Sequence, residues 1–346
     1  MERRDVFDPT KGPFFKHGTA QYWLARNDGQ IVGRISAQID YAQPKGLFDD
    51  AGLFGSLDTI DDEDIVRALL GMAEDWLHDQ GYERAFGPVT LSMNEEPGLM
   101  VEGHDEPAVI AAPWHPAYLA KHLEACGYTK KRDLHFWRCM STPSKLAELK
   151  AHKSFALRQK EFTVRSLNLR DIKQEIETIR MVYNDAWQHN WGFLPIEPHD
   201  LDGIASDLKP FLKSEYGIFV EKDGRTVGVA MVIPNLYEIF QDIGPDLSPL
   251  GWIRFLYRMF FHRFKTGRII LLGVLSEYRH SVGGAVIGMQ LVDEIVHRFR
   301  DYKHKSDWIE AGWVLDENEP LQKILEQFEF RRTRAFRLYD KPIAVS

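Results

Sequence analysis

Two stretches of alternating apolar and polar residues, each interrupted by an Asp-Gly pair, predict the first elements of this chain. They are AQYWLARNDGQIVGRISAQI at 20–39 and GIFVEKDGRTVGVAMVI at 217–233. Asp-Gly between two strand patterns is typical of a β-hairpin turn, because the glycine accepts a positive φ. Gly33 and Gly228 follow their turns at the same distance. The two hairpins therefore match as copies of one unit.

A second pair of segments repeats in the same order. The stretch YLAKHLEACGYTKKRDLHFWRC at 118–139 parallels LQKILEQFEFRRTRAFRLYDKP at 321–342, and each combines helical spacing, two basic residues and an alternating strand pattern. Between these landmarks each half predicts a strand, a helix and a strand. The predicted segments are 51–57, 62–80 and 84–91 in the first half and 268–276, 284–300 and 307–315 in the second.

The pattern divides the chain into two α/β domains. Residues 1–142 form the first domain and 161–346 the second, while the charged segment 143–160 is a linker or connecting helix. With 346 residues the chain is too long for one typical core, which also favours two domains. In the first domain Gly127 is predicted to end a helix, and Glu329 takes that place in the second.

Composition narrows the class of protein. A hydrophobic content of 44% with 27% charged residues is typical of a globular protein. The net charge of −8 argues against general nucleic-acid or membrane binding. No uncharged apolar stretch approaches the roughly 20 residues of a membrane span. The first residues do not resemble a signal peptide, so we expect a cytoplasmic location.

The segment GVLSEYRHSVGGAVIG at 273–288 joins a strand pattern to a helix pattern and suits an anionic ligand. A helix starting near Gly283 offers free N–H groups and its positive dipole end. Gly283 and Gly284 let the backbone approach a phosphate, and Arg279 can add charge-assisted hydrogen bonds. Alternatively the segment is only a strand-to-helix turn with a surface arginine.

The order of hairpin, strand, arginine loop, helix, strand, helix and strand resembles the GNAT superfamily of acyl-CoA-dependent N-acyltransferases. The loop of that superfamily, Arg/Gln-x-x-Gly-x-Gly/Ala, here reads Arg279-x-x-Val282-x-Gly284. Valine resists positive φ, so we expect a different bend that Gly283 absorbs. The resemblance implies acetyl-CoA or coenzyme A as cosubstrate. The implied cofactor-binding residues are Val274, Leu275, Ser276, Arg279, His280, Ser281, Val282, Gly283, Gly284, Ala285 and Asn318.

The resemblance extends to the end of the chain, with two departures. Leu325 stands where the superfamily often has the tyrosine that protonates the leaving thiolate, and Glu329 stands where it has a helix-ending glycine. The first half resembles the same unit more faintly. Its acidic run 61–64 lies where phosphate would bind and would repel it. The implied fold is thus two GNAT-like domains, each a mixed, mostly antiparallel sheet flanked by helices, with a degenerate first copy.

The turn within MVYNDAWQHNWGFLP at 181–195 is the predicted acceptor pocket, since GNAT-like proteins commonly line that pocket with the turn between their first two helices. Its candidate substrate-binding residues are Asn184, Trp187, Asn190 and Trp191. Helix packing is an equal alternative. The insertion 234–268 contains WIRFLYRMFFHRFKTGR, interpreted as a mostly buried helix whose arginines reach solvent, or alternatively as a lipid- or partner-facing helix.

The resemblance predicts acetyl transfer from acetyl-CoA to a primary amine of a small molecule or peptide by direct attack in a ternary complex. Glu310 is the first candidate base and Glu277 the second, while Tyr183 is a candidate acid for the thiolate. Backbone N–H groups along 274–276 are the predicted oxyanion donors. A non-catalytic acyl-CoA-binding or scaffold protein is the alternative. The histidines are scattered, so no metal is expected. The oligomeric state is open.

Overall fold

The computed structural model describes residues 3–140, 161–198, 212–240, 248–301 and 307–343. The predicted linker 143–160 lies outside these ranges. The described strands are β1 (Gly18–Asn27), β2 (Gln30–Asp40), β3 (Gly52–Thr59), β4 (Arg84–Gly87), β5 (Val89–Thr90), β6 (Glu96–Pro97), β7 (Leu99–Glu102), β8 (Thr129–Met140), β9 (Thr163–Ser166), β10 (Gly217–Lys222), β11 (Arg225–Pro234), β12 (Thr266–Val274), β13 (Trp308–Leu315) and β14 (Arg331–Pro342). The described α-helices are α1 (Arg3–Val6), α2 (Glu63–Asp79), α3 (Tyr118–Ala125), α4 (Ile172–Trp187), α5 (Tyr237–Phe240), α6 (Pro249–Phe261), α7 (Val282–Val296) and α8 (Glu319–Gln327).

One mixed sheet runs through both halves. Within the described ranges its strand order is β1-β2-β3-β4-β14-β8-β13-β12-β11-β10-β9, with β7 paired to β14. Only β3 with β4 and β12 with β13 pair in parallel among these described strands. The prediction of an α/β fold with a mixed, mostly antiparallel sheet flanked by helices is confirmed.

The two predicted hairpins are confirmed as copies. Asp28 and Gly29 have φ of 47° and 81°, and Asp223 and Gly224 have φ of 52° and 78°, which is the left-handed pair that a tight hairpin turn needs. The glycine after each turn also has one role. A Cβ at Gly33 would press on Leu69 of α2, and a Cβ at Gly228 would overlap Ile287 of α7. Each glycine therefore lets the helix of its half approach the sheet.

The helix ends of the second repeat also match. Gly127 ends α3 with φ of 87°, and Glu329 ends α8 with φ of 60°. The next residue in each copy is aromatic, and its backbone N–H donates back to a carbonyl of the helix. Tyr128 donates to Leu123 at 3.1 Å, and Phe330 donates to Leu325 at 2.9 Å. Glu329 thus takes the glycine position, as the sequence predicts, and accepts a left-handed conformation to do so.

The last strands of the two halves are exchanged. Strand β8, which ends the first half, pairs with β13 of the second half. Strand β14, which ends the second half, pairs with β4 of the first half on one side and with β8 on the other. Each half of the sheet is therefore completed by a strand from the other half, and the two repeats share one continuous hydrogen-bonded layer.

The exchange creates a core cluster between the halves. Phe48 and Phe86 of the first half stack at 4.3 Å, and both pack near Trp191 of the second half. Phe136 of β8 and Phe336 of β14 face each other at 5.1 Å in the same cluster. The first half thus supports the second through packed aromatic side chains as well as through the sheet.

The insertion does not pack as its preferred interpretation predicts. Helix α6 has most of its apolar side chains in solvent, including Leu250 and Phe261, so the expectation of a mostly buried helix is wrong. It packs on one narrow side only, because the neighbouring α5 is a single turn. No helix in the described ranges combines the length and the apolar character that crossing a membrane requires.

Candidate functional site

An opening in the sheet separates β12 from β13. Their parallel ladder runs from the Thr266–Trp308 pair to the Ile269–Ala311 pair and then ends. Both strands continue beyond it, to Val274 and Leu315. They therefore diverge toward their carboxyl ends, which is the edge of a parallel pair where ligands commonly bind.

The hydrogen bonds between β12 and β11 determine the direction of the Val274 N–H. Leu275 donates its N–H to the Val227 carbonyl at 3.0 Å, on the β11 side. In an extended strand successive N–H groups point to opposite edges. The N–H of Val274 therefore points away from β11 and into the opening. Of the oxyanion donors predicted in 274–276, the Leu275 N–H is already bonded to β11, whereas the Val274 N–H points into the opening.

The loop after β12 bends at His280, which the sequence analysis names as a cofactor-binding residue but not as the site of the bend. His280 has φ of 62°, whereas Val282 already belongs to α7, for which no positive φ occurs. Ser281 caps the helix, because its Oγ accepts the Gly284 N–H at 3.0 Å. The expectation that Gly283 absorbs a bend caused by Val282 is therefore wrong: Val282 is helical and 77% exposed.

Gly284 is required by the loop itself. A Cβ at this position would overlap the carbonyl oxygen of Tyr278, whereas a Cβ at Gly283 would meet only the Tyr278 ring at 3.3 Å. The first intrahelical bond runs from the Ala285 N–H to the Ser281 carbonyl. The N–H groups of Val282 and Gly283 precede that bond, so they are the donors that the start of α7 offers to an anion.

The end of α4 is fastened to this loop. The Asp185 carboxylate accepts the Ser276 N–H at 2.5 Å and the Ser276 hydroxyl at 2.8 Å. Arg279 donates to the Ala186 carbonyl. The Ser276 N–H is thus occupied, which corrects its assignment as an oxyanion donor. Asp185 itself carries no role in the sequence analysis, because its partner lies far away in the chain.

Two aromatic side chains of α4 cover the end of β12. A Cβ at Gly273 would overlap the Trp187 ring, so the indole lies directly on the strand backbone. Tyr183 stacks on Trp187 at 4.9 Å and donates its hydroxyl to Asn94 Oδ1 of the first half at 3.3 Å. Burial raises the pKa of Tyr183 to about 12, which keeps the phenol protonated near neutral pH.

The other three predicted acceptor residues do not lie over the end of β12 as Trp187 does. They are Asn184, Asn190 and Trp191. The Asn184 amide bonds both backbone groups of Ile196, at 3.0 and 2.9 Å, and thereby holds the following loop. Trp191 packs against Phe48 of the first half, and Asn190 contributes backbone bonds to the turn. For Asn184 and Trp191 these contacts correspond to the packing alternative.

Glu310 lies in a buried ion cluster. Its Oε1 accepts the Thr333 hydroxyl at 2.6 Å and Arg138 Nη2 at 3.1 Å, and Arg334 Nε lies 3.3 Å away. The side chain is fully buried. Burial also lowers the pKa of neighbouring Arg268 to about 10. The Oε1 atom is thus engaged by Thr333 and two arginines, and these contacts favour a structural role for Glu310 over that of general base.

Three further residues that the sequence singles out form an ion pair, a helix cap or part of the core. Glu277 is exposed and forms an ion pair with Arg225 at 2.9 Å. Asn318 caps α8, with its Oδ1 accepting the Leu321 N–H at 3.4 Å. Leu325, at the position of the missing tyrosine, is fully buried in the core.

The strand exchange brings together a pair that the sequence analysis missed. His135 of β8 places its Nε2 2.5 Å from Asp316 Oδ1, directly after the carboxyl end of β13. His135 Nδ1 is buried and has no hydrogen-bond partner among the described residues. No local signal could reveal this pair, because its members belong to different repeats. It is the one histidine–carboxylate pair that we find at this end of β13 within the described ranges.

In the first half, the positions equivalent to the start of α7 and to the opening beside β12 are occupied by the protein's own groups. Asp62 caps α2 by accepting the N–H groups of Asp64 and Ile65, so its own carboxylate occupies the helix start. A Cβ at Gly55 of β3 would overlap the Val89 carbonyl, because the chain after β4 lies against β3. These contacts leave less room there than the opening beside β12. Within the described residues no group of three or more metal-ligating side chains occurs.

Comparisons with known proteins agree with this architecture. No protein-family model matches the chain. It is 34% identical over 333 residues to Protein YghO of Escherichia coli (strain K12), covering 96% of this chain and 85% of that protein. It is 33% identical over 348 residues to the bacterial ceramide synthase of Caulobacter vibrioides, covering 99% and 89%.

Solved structures with a similar fold carry acetyltransferase units. A tandem GNAT protein from the clavulanic acid biosynthesis pathway superposes with a TM-score of 0.52 at 12% identity, over 95% of this chain and 85% of that one. A GCN5-related glucosamine N-acetyltransferase region of a fungal enzyme also gives 0.52, at 13% identity, over 93% and 33%. The chain therefore belongs to the family that includes Protein YghO and the bacterial ceramide synthase, and its fold is the tandem arrangement of two GNAT-like units.

Proposed function

We propose that this protein is an acyl-CoA-dependent N-acyltransferase whose acceptor is a long-chain amino alcohol and whose donor is a fatty acyl-CoA. The observation that carries the proposal is the opening between β12 and β13, together with the free N–H groups at the start of α7, which follows β12 in the chain. The relative named bacterial ceramide synthase supports the substrate class. A ceramide is an N-acylated amino alcohol, so its synthesis joins an acyl group to a primary amine. A fatty acyl group replaces the acetyl group that the sequence analysis expects.

The residues of the loop fit a phosphorylated acyl donor. Val282 points its side chain into solvent, and the N–H groups of Val282 and Gly283 are the free donors of the first helical turn. The helix dipole adds favourable potential for an anion. Arg279 is only partly buried beside the same turn. These groups would hold the pyrophosphate of coenzyme A, and bound acyl-CoA supplies an activated thioester carbonyl.

The reaction requires one bond to form and one to break. The amine nitrogen attacks the thioester carbonyl carbon, the carbon–sulfur bond breaks, and the thiolate leaves with a proton. Val274 N–H points into the opening and would stabilise the oxyanion. The protonated phenol of Tyr183 would supply the proton that the thiolate takes up. Trp187 would exclude water from this end of β12.

The amine must lose a proton, and His135 is our candidate for accepting it. Its Nε2 is held by Asp316, which leaves the unpartnered Nδ1 as the basic atom; because Nδ1 is buried, this role requires that the amine reach it from the opening. A pair of this kind orients the imidazole and stabilises its charged form. We therefore assign the base role to the His135–Asp316 pair in place of Glu310.

A turnover assay with the full chain tests the proposal. We expect thiol release from palmitoyl-CoA in the presence of sphinganine, with an N-acylated product by mass spectrometry. Acetyl-CoA should be a poorer donor.

A donor at about 100 times its dissociation constant should add roughly 2.7 kcal/mol of stability and raise the melting temperature. Titration should give one donor site per chain, because Asp62 occupies the helix start of the first copy.

Other outcomes of this assay discriminate between the alternatives. Acyl-CoA binding without turnover of any amine would favour the non-catalytic scaffold. Turnover of acetyl-CoA with small polar amines in preference to sphinganine would overturn the substrate class and keep the reaction. Neither binding nor turnover would reject the proposal.

Replacing His135 with glutamine is expected to lower kcat by about 10²–10⁴-fold, the usual contribution of a positioned general base. Glutamine keeps a polar side chain of similar reach toward Asp316. The KM for acyl-CoA should stay within about twofold. Asn184→Ala is the comparison variant: it is expected to reduce stability and to preserve kcat of the folded protein. An unchanged kcat for His135→Gln would remove this residue from the mechanism.

A further inference from the structure

Helix α6 is fastened to the protein along one side. The Phe255 ring stacks on Phe240 of α5 at 5.3 Å, and Arg258 Nη1 donates to the Ile239 carbonyl at 3.0 Å. Ser248 caps the helix by accepting the Gly251 N–H at 3.1 Å. The orientation of the helix is therefore determined by contacts, and its opposite side faces outward.

The outward side is an apolar stripe. Leu250 is 74% exposed, Ile253 64%, Tyr257 65% and Phe261 69%. Their spacing of three, four and four residues places them on one face of a helix. Trp252 and Leu256 of the same helix and Tyr237 and Phe240 of α5 are exposed as well. A contiguous group of large, exposed apolar side chains on a folded protein marks an interaction site.

The stripe lies within a cationic stretch. Arg254, Arg263 and Lys265 are exposed, and no acidic residue occurs between Ser248 and Thr266. Glu238, the nearby described acid, is engaged by His262 at 2.8 Å and by the backbone of Thr266 at 2.8 Å. The chain as a whole has a net charge of −8. The segment 248–266 is therefore positively charged although the chain as a whole carries a net negative charge.

This charge decides between the possible occupants. A second copy packed symmetrically on the stripe would place like charges, including Arg254 of each copy, against each other. An anionic lipid surface instead complements Arg254, Arg263 and Lys265. It also accommodates Tyr257, because tyrosine favours the boundary between acyl chains and headgroups.

We propose that α6 docks the protein on an anionic phospholipid bilayer, with the stripe of Leu250, Ile253, Tyr257 and Phe261 inserted at the level of the headgroups. This binding is independent of acyl transfer, since it requires neither donor nor amine. If the proposed function also holds, the docked enzyme would meet an amphiphilic acceptor at the surface in which such molecules reside.

Vesicle flotation tests the proposal. The full chain is mixed with vesicles of phosphatidylcholine and phosphatidylglycerol in a 7:3 ratio or of phosphatidylcholine alone, without acyl-CoA. We expect at least tenfold stronger partitioning onto the anionic vesicles, weakened by salt. Ile253→Glu with Tyr257→Glu should lower that partitioning by at least tenfold. Ile31→Glu is the matched control, because Ile31 is 56% exposed on the first hairpin, and it should bind like the wild type.

Two further measurements distinguish lipid docking from misfolding and from self-association. Melting curves that match the wild type verify that the exposed substitutions leave the fold intact, and Ile253→Gln provides a milder second variant. Equal binding by the Ile253→Glu, Tyr257→Glu variant, or no binding by the wild type, would overturn the proposal. A dimer in sedimentation that this variant abolishes, without vesicle binding, would instead identify a second copy as the occupant. Failure to acylate any amine would leave the vesicle result unaffected.

Discussion

Glu310→Ala is expected to lower the melting temperature by about 6–10 °C. Removing one partner of a buried ion pair costs roughly 3–5 kcal/mol, because the other charge stays buried without compensation, and each kcal/mol corresponds to about 2 °C or more in a large domain. Here Arg334 would lose the carboxylate beside its Nε, while Arg138 would keep Glu106 as a partner, which places the expected cost toward the lower end of that range. Thermal unfolding monitored by circular dichroism measures the change.

The matched control is Glu277→Ala. Glu277 is the other carboxylate that the sequence suggests as a base, and its ion pair with Arg225 is exposed. Exposed pairs contribute little, so its melting temperature should stay within about 1 °C of the wild type. A Glu310→Ala protein that melts normally and loses only kcat would restore Glu310 as the base.

Val282→Glu is expected to weaken binding of coenzyme A by at least about tenfold, which corresponds to roughly 1.4 kcal/mol. The substitution places a carboxylate at the first residue of α7, beside the N–H groups that would hold the pyrophosphate. It also reproduces the first copy, where Glu63 stands at that position of α2. A negative charge stabilises a helix start, so the melting temperature without ligand should be unchanged or slightly higher.

Isothermal titration with coenzyme A measures this effect, and Val282→Gln separates charge from size. The neutral variant should bind within about twofold of the wild type, since Val282 is exposed and its side chain is not required for the loop. Unchanged affinity for Val282→Glu would place the pyrophosphate elsewhere. Gly284→Val is a poorer test, because a Cβ there overlaps the Tyr278 carbonyl and disturbs the loop itself.

The strand exchange makes the first half necessary for the proposed site despite its blocked helix start. His135 reaches Asp316 only because β8 lies beside β13, and Tyr183 finds Asn94 across the same boundary. A copy without a ligand site of its own thus contributes a side chain and a wall to its neighbour. This is a physical reason for the two repeats to occur in one chain.

Local features of the chain could be predicted from its sequence, because they depend on residues close together. The Asp-Gly turns need left-handed φ at two adjacent positions, and the periodicities of 2.0 and 3.6 residues identify the strands and helices. The helix end at Glu329 follows from its alignment with Gly127. The repeat also placed the loop before α7 and the acidic start of α2 in equivalent positions. The resemblance to the GNAT fold follows from this order of elements.

Long-range pairings were decided by the tertiary structure alone. An alternating pattern does not specify which strand lies beside it, so the exchange of β8 and β14 could not be predicted. For the same reason the sequence could not show that Glu310 has buried partners on β8 and β14. Nor could it show that His135 pairs with Asp316. The exposure of α6 has a related cause: a sequence shows that a helix has apolar residues, but only the packing of neighbouring elements determines which of them are covered.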